Sequence, residues 1–458
     1  MGERGRVGAG AAGFVATGTS GDAMIRRLMV VAVLLIGAFL LEPLRVPTAD
    51  VVAPRSLFLF GLLLLVADTL GTFFHEVGLP RIVGFLAAGI VLGPSVAGFI
   101  PPPVLGDLGM IKELAVGCIG LLAGVELRIS EVRQRGRAII GMLGGQLLAV
   151  LPVLALVVIL GRTHIPFAAG LTGAPLLLVA VLFGAILSVN SPMVTLAMLT
   201  ETGARGPLAR TVLGVVLVAD VLVILLFTVC FALAQSSLGT AQASMWGILG
   251  SLLRELGGSV LAGAIVGALI AVYLRFVKLE LVLFVIVTVF ATAAAATALH
   301  FELLLSLLTA GFVVENVAPV RAEPLVETLH HISWPVFVVF FALAGAELHV
   351  QEFLGLWPVI VVVALCRGAA LRVGASRGAR WGGADAATVQ WGWMGLVSQA
   401  GVALGLATVL ARRMPGVGEA MATVIVGVIA VNESIGPVLF RRGLERAGEL
   451  GVSGLRPE

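Results

Sequence analysis

The sequence predicts an all-α polytopic membrane protein of about 13–14 transmembrane helices, and three observations predict it. The first is composition. Mean hydropathy is +1.11, with 59% hydrophobic and only 12% charged residues, whereas a soluble globular domain keeps about a quarter of its residues charged. The second is run length. The apolar stretches are continuous over about 20 residues or more, long enough for helices to cross a bilayer and unlike the short alternating strands of a barrel. The third is the placement of basic residues, which gather in short loops on alternate sides.

Residues 1–22 are small and Gly/Ala-rich, and are expected to be disordered. MIRRLMVVAVLLIGAFLLEP follows, with a basic start and an apolar core. No small-residue cleavage site closes it, so it is expected to be a retained signal-anchor helix. Hydropathy then places fourteen candidate helices near 23–43, 55–75, 79–97, 106–128, 134–160, 172–200, 206–235, 244–276, 279–299, 302–319, 325–350, 355–376, 385–412 and 418–441. With the N-terminus inside, 21 Lys and Arg fall in cytoplasmic segments and six on the opposite side. That asymmetry predicts an inner-membrane protein with both termini cytoplasmic.

Two of these stretches read badly as unbroken helices. GAILSVNSPMVTLAML carries Ser188, Asn190, Ser191 and Pro192 in mid-run, and WGWMGLVSQAGVALGLA carries Ser398, Gln399 and Gly401. Proline removes a backbone donor, and small polar side chains compete for backbone bonds. A bilayer tolerates such breaks only where they line a cavity or lie inside protein. Each break is the fifth helix of a six-helix set, with a single helix between the sets. Two even-numbered repeats joined by one helix enter from opposite sides, so the repeats are inverted, which is the pattern of a secondary transporter with a midplane site. The expected domains are residues 23–54 as an N-terminal helix and loop, 55–235 as the first repeat, 236–278 as the linker, 279–445 as the second repeat and 446–458 as a cytoplasmic tail.

The run from Leu208 to Phe227, LARTVLGVVLVADVLVILLF, contains one acid, Asp220, near its middle. A carboxylate at that depth costs roughly 2.5–3.5 kcal/mol on insertion scales, which marks it as functional by default. It can bind a partly dehydrated monovalent cation or a proton, and competition between the two under alternating access gives obligatory exchange. The bland alternative is a buried ion pair or a helix–helix hydrogen bond. Arg367, in PVIVVVALCRGAALRVGA, holds its charge at any physiological pH. It can balance an emptied Asp220, or it can snorkel toward the cytoplasmic face with Arg372, Arg377 and Arg380. Asp68 reads as a structural hydrogen-bonding group. Glu113, Glu126, Glu302, Glu315 and Glu347 read as solvated helix ends, and His330 and His331 as flanking a loop. Asn432 and Glu433 either close the site from the other half or satisfy backbone at a Gly-Pro kink.

Cys118, Cys230 and Cys366 lie singly in apolar runs and read as small core hydrophobes. Metal-ligand spacing, a nucleotide-binding loop and a hydrolase elbow are all missing from the sequence, so no cofactor, nucleic-acid partner or enzymatic activity is expected.

LPRIVGFLAAGIVLGPSVAG (79–98), GCIGLLAGVELRISEVRQRGRAIIG (117–141), TETGARGPLARTVLGVVLVADVLVILLF (200–227), LVSQAGVALGLA (396–407) and VNESIGPVLFRRGLERAGE (431–449) together resemble the cation/proton antiporter superfamily. More narrowly they resemble its monovalent cation:proton antiporter-2 group, which includes sodium/hydrogen exchangers and Kef-type membrane domains. The resemblance runs over about residues 55–449. It implies a homodimer in the lipid bilayer, each protomer having a dimerisation domain and a core domain that moves like an elevator. It implies that Asp220 is the essential ion-binding aspartate, that Asn190, Ser191 and Pro192 form the first break, and that Arg367 is the basic residue before the second. The position before the aspartate, often acidic or Asn in the family, is Ala219 here, which predicts one proton per cation and electroneutral exchange. Asn190 and Ser191 stand where Thr and Asp are commoner, and Leu371 where a lysine often follows the arginine. The chain ends at Glu458, so a Kef-type nucleotide-binding regulatory domain is not expected in it. The expected function is Na+ or K+ exchange for H+. The alternatives are a crossed-helix carrier of an organic or anionic solute and a non-transporting sensor or scaffold.

Overall fold

In a computed structural model of the chain, residues 54–238, 245–277, 280–318, 322–348, 350–399 and 402–451 are described. The N-terminal helix expected at 23–43 lies outside these residues, as does most of the expected tail. The described residues contain helices and no strand. In the first repeat these are α1 (Pro54–Glu76), α2 (Arg81–Leu92), a short α3 (Pro102–Asp107), α4 (Gly109–Glu126), α5 (Ile129–Leu160), α6 (Gly173–Ile186), α7 (Pro192–Thr202) and α8 (Pro207–Ser237). The linker α9 (Met245–Phe276) follows. The second repeat has α10 (Leu281–Leu299), α11 (Leu303–Asn316), α12 (Glu323–Ala346), α13 (Val350–Trp381), α14 (Ala386–Trp391), a 3-10 segment (Gly392–Leu396), α15 (Val402–Arg413) and α16 (Val417–Arg446). Eight of these helices are long and apolar enough to cross a membrane, and each of the two interrupted stretches is divided into shorter helical pieces.

Helix limits depart from the hydropathy reading where polar residues extend a helix past its apolar part. α5 begins at Ile129, through the Arg133–Arg137 segment, and α13 runs to Trp381 past three arginines. Helical backbone satisfies its own hydrogen bonds, so it continues into a polar face without cost. His330 and His331 lie inside α12 and not at a loop.

The helices sort into two bundles by position within each repeat. The first three spans of both repeats (α1, α2, α4; α10, α11, α12) pack with the linker α9. The last three (α5, α6–α7, α8; α13, α14–α15, α16) form the second bundle around the α5–α13 pair. The bundles meet along narrower seams, α8 against α9, α16 against α2 and α7 against α4.

Close approach in each bundle is set by glycine. At the α5–α13 crossing a Cβ on Gly378 would stand 2.0 Å from the Gly141 carbonyl oxygen, and one on Gly145 would stand 2.2 Å from that of Gly374. Without a hydrophobic drive between helices in lipid, such backbone-to-backbone packing is what holds them together.

Candidate ion site

The two breaks meet in the second bundle. α6 ends at Ile186, and residues 187–191 run as non-helical chain before Pro192 restarts the helix as α7, with Ser191 as N-cap. The Ser191 side chain accepts from the Val194 amide at 3.2 Å, and Pro192 at the first helical position has no amide to leave unpaired. In the second repeat the 3-10 segment ends at Leu396, and residues 397–399 run as non-helical chain beyond it. The breaks are joined directly, the Ser191 amide donating to the Ser398 carbonyl at 3.0 Å.

Ending two helices inside protein leaves carbonyls unpaired and partial negative charge at each C-terminus. Arg367 meets both. It is 0% exposed. Its Nε donates to Leu187 O at 2.6 Å, one terminal nitrogen donates to Val397 O at 2.7 Å, and the other donates to Val189 O at 3.1 Å and Leu396 O at 3.2 Å. A buried guanidinium is tolerable when its donors are filled, and here two carbonyl-rich helix ends fill them.

Side-chain amides complete the knot. Asn190 donates through Nδ2 to Leu396 O at 2.6 Å, and its Oδ1 accepts from Gln146 Nε2 at 2.8 Å. Gln146, on α5, also donates to Ser188 O at 2.7 Å. The Gln399 Nε2 donates to Leu187 O at 3.1 Å, while its Oε1 accepts from Asn432 Nδ2 at 2.7 Å. Ser188 donates back to Gly184 O at 2.8 Å and so closes the last turn of α6. The structure therefore brings Asn190, Ser191, Ser398, Gln399 and Arg367 into one network, with Ser188 and Pro192 shaping the first break. Sequence reading passed over Gln146; the signal was a single amide in the apolar run GGQLLAV.

Asp220 sits apart from this network. It lies mid-way along α8, which packs against α6, α7 and the 3-10 segment of the second break. It is half-buried, with Ala219 beside it fully buried. Its Oδ1 is buried without a hydrogen-bond partner. The hydrogen bonds of Arg367 all go to backbone carbonyls and none to Asp220. A carboxylate oxygen left open is free to take a cation or a proton.

A cavity of about 440 Å³ opens between the bundles at the N-terminal end of α8, lined among others by Arg128, Arg205, Leu213, Glu126 and His330. Leu213 is seven residues before Asp220, about 10 Å along a helix, so the cavity lining stops short of the acid. At its rim Arg128 pairs with Glu315 at 2.8 Å, and His330 Nε2 lies 2.8 Å from Glu126 Oε1. Glu126 and Glu315 are thus partnered helix-end acids. Among the described residues no group of His, Cys, Asp and Glu is arranged to hold a resident metal ion.

Residues 59–441 match the family described as sodium/hydrogen exchanger, transmembrane. The chain is 30% identical over 235 residues to the Na(+)/H(+) antiporter NhaP of Pseudomonas aeruginosa, covering 44% of this chain and 54% of that protein. It is 26% identical over 193 residues to the Na(+)/H(+)-K(+) antiporter GerN of Bacillus cereus, covering 41% of this chain and 44% of that protein. The chain thus spans about half the length of these curated relatives. Two structures of the sodium proton antiporter MjNhaP1 from Methanocaldococcus jannaschii share the fold. One has a TM-score of 0.59 at 16% identity, over 86% of this chain and 99% of that one. The other has a TM-score of 0.63 at 17% identity, over 88% and 99%. On the extent of the family match, the chain belongs to the transmembrane sodium/hydrogen exchangers, a family of transporters and not of enzymes.

Proposed function

We propose that the protein exchanges a monovalent cation, sodium in the first place, for a proton across the membrane by alternating access, with Asp220 as the shared carrier. The observation that carries this reading is the open Oδ1 of Asp220 on the helix after the first break, beside a crossing whose own charges are internally satisfied. Since Arg367 is committed to backbone carbonyls, it supplies a fixed positive field and no proton. With Ala219 next to Asp220, one carboxylate serves one cation or one proton, and exchange is electroneutral. Elevator motion is supported by the division into two bundles that meet along narrow seams. The cavity between them is the approach from the arginine-rich side, which the loop charges make cytoplasmic. A homodimer in the inner membrane, with both termini inside, belongs to the same reading, as does potassium as a second cation.

The test is flux in proteoliposomes with an internal pH dye. Added Na+ collapses an imposed pH gradient, and Asp220→Asn abolishes that response while leaving the protein folded. Cation-dependent proton movement that survives in Asp220→Asn sinks the proposal.

A further inference from the structure

Glu433 is a second intramembrane acid, and the crossing does not account for it. It lies within α16 and is 2% exposed, with its Oε1 buried and unpartnered. Its chain neighbour Asn432 donates to Gln399 at 2.7 Å. Gly436, three residues on, packs so tightly against Ser398 that a Cβ there would stand 2.0 Å from Ser398 Oγ. α16 is therefore held against the second break at the level of Glu433. The charged groups acting on Glu433 are Lys112 of α4 and Glu347, the residue after α12, and those two form an ion pair with each other. Arg367, on the adjacent α13, has its donors on carbonyls. A bare carboxylate in such a place is costly, and the neutral acid is not.

Repeat symmetry strengthens the case. α16 holds the place in the second repeat that α8 holds in the first, each being the helix after a break. Each carries an acid with one buried, unpartnered oxygen, Asp220 on α8 and Glu433 on α16. Each helix also borders the other bundle, α8 at α9 and α16 at α2. A structural acid acquires donors as it is buried, and Glu433 has an oxygen with none.

We propose that Glu433 is a second proton-binding residue of the exchanger, serving the route between the Lys112–Glu347 end of the molecule and the crossing. This rests on the antiporter reading above. In the step, an O–H bond of a hydronium ion breaks and one forms on the Glu433 carboxylate; release is the reverse, to water on the way to Asp220 or back out. No electrons move, and Glu433 ends each cycle as it began, so the exchange ratio is unchanged.

Two measurements on the purified full chain test it. The first is infrared difference spectroscopy of the carboxylic-acid C=O stretch on pH change. The expected result is a titrating band present in the wild type and in Asp220→Asn, and missing in Glu433→Gln. A band set unchanged by Glu433→Gln overturns the proposal. The second is proteoliposome exchange. Glu433→Gln is expected to slow it roughly a hundredfold with the KM for Na+ unchanged, and Glu433→Asp to restore part of the rate with a displaced pH profile. Glu433→Gln exchanging at the wild-type rate and pH profile, or Glu433→Asp as slow as Glu433→Gln, also overturns it. A wild type without cation-driven proton flux sinks the antiporter reading instead, and the infrared measurement still decides whether Glu433 holds an exchangeable proton.

Discussion

Gln146 and Arg367 occupy the same position in the two repeats, each seventeen residues after the first residue of its helix, Ile129 of α5 and Val350 of α13. Both are fully buried and both donate to the non-helical carbonyls of the first break, Gln146 to Ser188 O and Arg367 to Leu187 O and Val189 O. Two inverted repeats thus put an amide and a guanidinium into one crossing. The asymmetry follows the load. Arg367 has carbonyls of both helix ends to satisfy, and only arginine carries five donors in a planar fork.

Removing that fork should unfold the crossing. Arg367→Met removes four hydrogen bonds and leaves the Val189 and Val397 carbonyls without a side-chain donor, and breaking such a buried charged arrangement typically costs about 3–5 kcal/mol. Arg367→Lys keeps the charge and lacks the reach to both helix ends. Thermal unfolding of the detergent-solubilised protein should give the order wild type, then Lys, then Met. An unchanged Tm in Arg367→Met contradicts the role given to those four bonds.

Asn190 supplies one donor and one acceptor, and an aspartate cannot replace it. Asn190→Asp sets a carboxylate oxygen against Leu396 O, where an amide N–H now donates at 2.6 Å. The expected loss is about 1–3 kcal/mol, readable as a lower Tm that recovers as the pH is lowered. The sign follows from protonation: below the pKa of the new carboxyl an O–H donor returns, and above it the repulsion is complete. A Tm that falls further in acid is the contrary outcome.

The glycine contact between α5 and α13 is a steric prediction. Gly378→Ala places a methyl 2.0 Å from the Gly141 carbonyl oxygen, closer than any real contact, so the two helices must separate. Overpacking of this kind costs about 1–3 kcal/mol. Gly368→Ala on the same helix meets nothing within 4 Å and serves as the control, with an unchanged Tm expected.

The proposed electroneutrality is open to test at one residue. Ala219 is fully buried beside Asp220, and Ala219→Asp adds a second acid next to the first. Wild-type exchange should not respond when the membrane potential is clamped at different values with potassium and valinomycin. In Ala219→Asp a potential-dependent rate is expected. Potential dependence in the wild type removes the one-proton reading.

The helices were legible because a bilayer leaves the backbone no alternative: every carbonyl and amide must be paired within the segment, so a long apolar run is a helix. The inverted repeats were legible for a related reason, since Asn190–Ser191–Pro192 and Ser398–Gln399 interrupt such runs at matching places. Glu347 and Glu126 read as solvated ends; their side chains do remain 39% and 40% exposed, and folding adds the partners Lys112 and His330. Those partners lie more than 200 residues away in the chain, beyond any local pattern.

Sequence alone therefore determined the helical class, the two breaks, and the cost of leaving Asp220 at membrane depth. Each follows from hydropathy and charge along a single segment. Only the tertiary structure decided what the charged groups face: carbonyls of two helix ends for Arg367, and for Asp220 and Glu433 an oxygen with no partner. The physical reason is that desolvation is a property of the segment, whereas its compensation depends on which distant helices the glycine contacts bring together.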